Sequence, residues 1–202
     1  FFKVHDQMKL RLKANPVPIV VPIGAEENFR GVVDLIKMQA LIWRDEELGA
    51  KWDEVEIPAH MKAQAEEYRA KLVEQAAEST DELMEAYLEE GDLSNEQIMA
   101  GVRHLTVHNQ AYPVFCGSAF RNRGVQPVLD AIVDYLPSPL DVPPMKGHKP
   151  GDESVEMTRE SDENAPFSAL AFKIAAHPFF GTLTFIRVYS GKAVPGTQVL
   201  NS

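Results

Sequence analysis

Gly117, Ser118 and Ala119 follow the apolar run "PVFC" and lead into "FRNRG", a basic loop ahead of an amphipathic segment. Small side chains let backbone N–H groups approach a ligand at the carboxyl end of a strand, where open α/β sheets bind ligands. The same residues suit a tight strand-to-helix turn that holds nothing, and the stretch alone leaves both readings open. Other patterns with chemical meaning are scarce. The sequence has no G-x-x-x-x-G-K-[ST] phosphate loop, no G-x-G-x-x-G turn and no H-E-x-x-H helix. His104 and His108 share a helix face at i, i+4, and the lone cysteine, Cys116, is remote from them, so surface histidines near a helix end are expected rather than a metal site. Cys116 lies in an apolar stretch and reads as a packed thiol. Glu26-Glu27 and Glu89-Glu90 read as loop and helix-end charges, not as an acid/base couple. Residue chemistry alone therefore names no catalytic residue and no metal ligand.

The elements that would position the Gly117 stretch are mostly legible. Residues 1–13 read as a helix stopped at Asn15-Pro16, and "VPIVVPI" as one short strand buried on both faces. "FRGVVDLI", "KMQALIWR" and "KWDEVEIP" read as three more strands, with Trp43 and Trp52 as packing residues flanking a hairpin. The turn between the first two of these shows no strong signal. Met61, Ala65, Tyr68 and Leu72 recur at helical spacing, with Val73 and Ala76 widening the stripe. Ser79 to Glu82 has capping-box spacing ahead of a buried face of Leu83, Met84, Tyr87 and Leu88, which Gly91 ends. Ser94 to Gln97 repeats the device before Ile98, Val102 and Leu105. Val125, Val128, Leu129, Ile132 and Leu136 mark a last helix, stopped at Pro137. Residues 138–165, rich in proline and charge, read as a linker. Beyond it "FSALAFKIA", "GTLTFIRVYSG" and "TQVL" read as consecutive strands, too few to close a barrel.

Bulk properties bound the possibilities. The chain has 202 residues, 45% hydrophobic and 25% charged, as in ordinary soluble domains. No apolar run is long enough to span a bilayer, no signal peptide opens the chain, and one cysteine fits a reducing cytosol. The net charge of −10 is uneven: residues 45–96 carry 17 acidic and 4 basic side chains. So acidic a segment is no general binder of phosphate backbones, but it could dock a basic partner or simply stay solvated.

Three blocks, "VPIVVPIGAEENFRGVVDLI", "CGSAFRNRGVQPVLDAIVDYLPSPLDVP" and "PFSALAFKI…GTLTFIRVYSGKAVPGTQVLNS", closely resemble elongation factor G, the translational GTPase that drives translocation on the ribosome. The resemblance runs over nearly the whole chain, in order. It implies an α/β fold: residues 1–23 and 111–137 from the C-terminal part of a P-loop GTPase domain, 24–110 as its α+β insertion (G-prime), and 166–202 as the first strands of an all-β barrel. By the same resemblance, Gly117, Ser118, Ala119 and Phe120 form the guanine-binding loop, with N–H groups around Ser118 and Ala119 facing the base O6. It implies contact of Glu66, Glu67 and Glu74 with a ribosomal stalk protein, beside Ala63 and Ala70, and of Lys173, Arg187 and Lys192 with small-subunit rRNA. GTP or GDP and Mg²⁺ are the cofactors implied for the intact parent, and its place is the cytoplasm. The phosphate loop, the switch regions and the Asn-Lys-x-Asp motif of that family are absent from these 202 residues. The piece by itself is therefore expected to be catalytically inert, without nucleotide or metal bound. Two alternatives stand beside this: a freestanding acidic protein-binding module, and a related factor such as release factor three or a ribosomal protection protein.

Overall fold

The computed structural model describes residues 1–44 and 49–201 and divides into two units, Phe1–Leu136 and the segment from Pro137 onward. The first is mixed α/β. Helix α1 (Phe2–Leu12) ends on Lys13 in the left-handed conformation, just ahead of the expected Asn15-Pro16 stop. The run "VPIVVPI" then serves two sheets instead of forming one strand. Strand β1 (Pro16–Pro18) pairs in parallel with β6 (Tyr112–Val114), whereas β2 (Val20–Ile23) opens an antiparallel meander. Ile19 is the junction: its N–H donates to Val114 C=O (3.0 Å), while its own C=O accepts from Leu35 N–H (3.0 Å). The meander order is β2, β3 (Gly31–Asp34), β4 (Gln39–Trp43) and β5 (Trp52–Val55). The four-stranded sheet thus begins at Val20.

The β3–β4 turn, which the sequence left unsignalled, is built on Asp34. Its Oδ1 accepts from Ile36 N–H (2.9 Å) and Lys37 N–H (3.0 Å), a short polar side chain standing in for backbone partners. Strand alternation decides the two faces of the sheet. Val21, Val33 and Ala40 face a large core completed by Leu72, Val73, Ala76, Ile98 and Val102. Val20, Val32, Leu41, Phe29 and Trp43 face the other way, against Trp52, Phe115 and Cys116. The rings of Trp43 and Trp52 lie 5.8 Å apart in a register pair, the packing role expected for them.

Three helices cover the first face: α2 (Lys62–Ala77), α3 (Asp81–Glu90) and α4 (Asn95–Val107). The Ser94–Gln97 capping box is complete, with both reciprocal bonds made. At α3 the cap is Thr80 rather than Ser79. Thr80 Oγ1 accepts from Leu83 N–H, and Ser79 Oγ instead donates to Ala76 C=O at the end of α2. Gly91 ends α3 in the left-handed conformation, its N–H on Tyr87 C=O. Leu88, expected inside, is 76% exposed, because α3 is short and packs along one narrow stripe. Helix α5 (Val125–Tyr135) buries Ala131 and Tyr135 but leaves Leu129, Ile132 and Val133 largely exposed.

In the second unit the expected linker is partly ordered. Strands β7 (Met145–Lys149) and β8 (Asp152–Arg159) form a hairpin within it, although nearly every side chain there is exposed. Gly151, with φ +83, closes the turn. Composition misread this stretch because a two-stranded ribbon needs turn chemistry and backbone pairing but no apolar face. Strands β9 (Ser168–His177) and β10 (Gly181–Ser190) form a second hairpin, with a bulge beside Phe185 and Ile186. The expected strand "TQVL" forms no ladder in this structure.

Candidate functional site

The Gly117 stretch lies at the carboxyl end of β6 and immediately before α5. It is a closed loop. Ser118 N–H donates to Arg123 C=O (2.8 Å), and Arg123 N–H returns the bond to Ser118 C=O (3.0 Å). Between them residues Ala119–Arg121 make a single 3₁₀ turn, whose first N–H has no partner inside the turn. Gly117 fits because a Cβ there would sit 2.6 Å from Arg123 O, closer than any real contact. Ala119 is exposed and Phe120 stands fully in solvent, while Ser118 is half-buried. Of the N–H groups expected to face a base, that of Ser118 is already engaged inside the loop.

The loop's second half turns away from its exposed tip. Arg123 is buried, 7% exposed, and its guanidinium donates to Phe29 C=O. Arg121 donates to Glu27 C=O (3.1 Å), and Gln126 Nε2 to Gly49 C=O (2.9 Å). Sequence reasoning did not find these contacts, because the acceptors are backbone carbonyls far along the chain, which no motif marks. It missed Arg69 and Arg103 for the same reason. Arg69 reaches Leu35 and Ile36 carbonyls from α2, and Arg103 reaches those of Asp134 and Leu136 at the end of α5.

Beneath the loop, burial pushes the Cys116 thiol up to about 12, and burial likewise raises Tyr135. Cys116 is thus a packed, unreactive thiol. The sign of the pH effect follows. Below about pH 9 the thiol is protonated in both the folded and unfolded chain, and the protonation-linked stability is fully present; it is lost as pH rises through about 12, since only the unfolded chain ionises readily in between. Urea unfolding at about pH 8 and about pH 10 should show the loss, and C116A should reduce it to the smaller part that buried Tyr135 contributes. An equal slope in C116A would assign the effect elsewhere.

The remaining predicted residues are dispersed. Glu66, Glu67 and Glu74 lie on the exposed side of α2 with Ala63 and Ala70, and Glu67 pairs with Lys71. On the β9–β10 hairpin the Lys173 ammonium sits 5.8 Å from the Phe185 ring and the Arg187 guanidinium 5.8 Å from Tyr189. Lys192 is held by Glu163 at 2.9 Å, an exposed pair that gives way easily. His108 Nδ1 donates to His104 C=O (2.8 Å), the helix-end role expected of it. Among the described residues no three His, Cys, Asp or Glu side chains are grouped to hold a metal ion. A cleft of about 240 Å³ beside α5 has Asp34, Glu54, Asp130 and Asp134 in its lining against a single cation, Lys37, a net negative charge that disfavours phosphate. No helix among the described residues is long and apolar enough to cross a membrane.

Fold and site together define a mixed α/β protein in which a parallel strand pair carries a tight loop and an inserted sheet-and-helix body. No protein-family model matches the chain. The crystal structure of ttk003000868 from Thermus thermophilus superposes with a TM-score of 0.71 at 23% identity, covering 97% of this chain and 26% of that one. The likeness is one of fold, and this chain spans about a quarter of that protein's length.

Proposed function

We propose that the chain is a segment of a translational GTPase of the elongation factor G type. Its loop 117–120 would meet the guanine base, and its insertion would dock a ribosomal stalk protein. The supporting observation is the placement of Gly117-Ser118-Ala119 at the carboxyl end of a strand in a parallel pair, where such folds bind nucleotides. With Ser118 N–H engaged by Arg123, the N–H of Ala119 is the donor that would read the guanine O6. An adenine amine there would set donor against donor and leave buried groups unpaired. Phosphate, Mg²⁺ and the attacking water belong to motifs that this sequence lacks, so the intact factor supplies GTP hydrolysis and translocation. The acidic face of α2 would meet a basic partner by charge complementarity, and Lys173 and Arg187 would meet rRNA phosphates in the cytoplasm.

Fluorescence anisotropy with labelled GDP and GTP, Mg²⁺ present, tests this. The 202-residue chain should not bind, and a longer version extended upstream through a phosphate loop should bind tightly. Tight guanine-selective binding by the short chain, or none by the long one, would overturn the proposal.

A further inference from the structure

We infer that Arg123 is a positioning residue that latches the guanine-facing loop to the inserted sheet, so that the two move as one. This rests on the proposed role of loop 117–120, which Arg123 closes. Its backbone and its side chain do different work at one position. The backbone N–H and C=O of Arg123 close the loop on Ser118, while the buried guanidinium grips Phe29 C=O, 94 residues away in sequence. Arg121 repeats the grip two residues earlier on Glu27 C=O (3.1 Å). The gripped segment is itself a constrained turn: Glu26, a non-glycine residue, sits at φ +52 ahead of Phe29. A second point of closure lies nearby. A Cβ on Gly49 would be 2.4 Å from Asn122 O, and Gln126 holds the Gly49 carbonyl. The insertion therefore touches the loop at two separate places, both through main chain on at least one side.

Main-chain acceptors do not vary with sequence, so the device depends on the donors. A guanidinium offers several N–H groups in a fixed fork, whereas an ammonium is a single point charge. Any shift of residues 26–29 is passed through Arg123 to the Ser118 bond and so to the neighbouring Ala119 N–H. A partner seated on the insertion and a base seated at Ala119 are then linked, and linkage is reciprocal.

Hydrogen exchange on the 202-residue protein tests the latch without any nucleotide. In R123M, amides of both residues 25–31 and residues 117–124 should exchange about tenfold to a hundredfold faster, the scale of a hydrogen bond made by a charged group. Amides of α2 and α4 should keep their protection, and R123K should recover part of the loss. Faster exchange in only one of the two loops, or a uniform increase across the first unit, would overturn the inference. If R123M does not fold, R121M, whose side chain is exposed, should show the same paired pattern more weakly, and its absence there would be equally decisive. In the longer version, R123M should speed GDP release about tenfold, with R123K between it and the parent. Failure of the unsubstituted longer protein to bind guanine nucleotides would sink the proposed function alone, because the paired exchange is read independently.

Discussion

Ile98→Ala should lower the unfolding free energy of the first unit by about 2–5 kcal/mol. Ile98 is fully buried at the start of α4, in the core shared with Leu72, Val73 and Val102 from α2 and α4 and with Val21 and Val33 from the sheet. Truncation removes apolar atoms from water-free surroundings and leaves a cavity that rigid neighbours only partly fill. Against a domain stability of roughly 5–15 kcal/mol the loss is large enough to shift the urea midpoint clearly. Leu88→Ala is the contrast: sequence periodicity places it inside, yet it stands in solvent, so its cost should stay within about 0.5 kcal/mol. Equal midpoint shifts in the two variants would contradict the packing described here.

Gly117→Val should open the loop that the proposed function depends on. A Cβ at this position lies 2.6 Å from Arg123 O and 3.3 Å from Gly124 Cα, both backbone atoms, so no flexible side chain can swing aside. The backbone must move, and the reciprocal Ser118–Arg123 bonds are the ones in the way. Losing both costs about 2 kcal/mol, at roughly 1 kcal/mol for each. The thermal midpoint of the first unit should fall, amides of Ser118 and Arg123 should lose protection, and the longer protein should lose guanine binding. Retention of all three would show that the loop tolerates a side chain and is not closed as described.

These variants also separate what local sequence determines from what it does not. The capping box of α4 was legible because Ser94 and Gln97 are three residues apart and satisfy each other's orphan donors. Gly91 was legible because a left-handed residue at a helix end favours glycine. The short apolar runs around Val20-Val21 and Val32-Val33 marked strands, and the small residues at 117–119 marked a place where a tight turn or a ligand could sit. In each case the energy comes from bonds or sterics within a few residues. By contrast, only the tertiary structure decided that Ile19 splits one apolar run between two sheets. It alone made Thr80 rather than Ser79 the cap of α3 and left Leu88 outside. It alone sent Arg69, Arg103, Arg121 and Arg123 to carbonyls that are remote in sequence. A backbone carbonyl looks the same at every position, so a side chain that seeks one leaves no pattern until the chain is folded. That is why the sequence marked the loop, and only the fold tied it to the insertion.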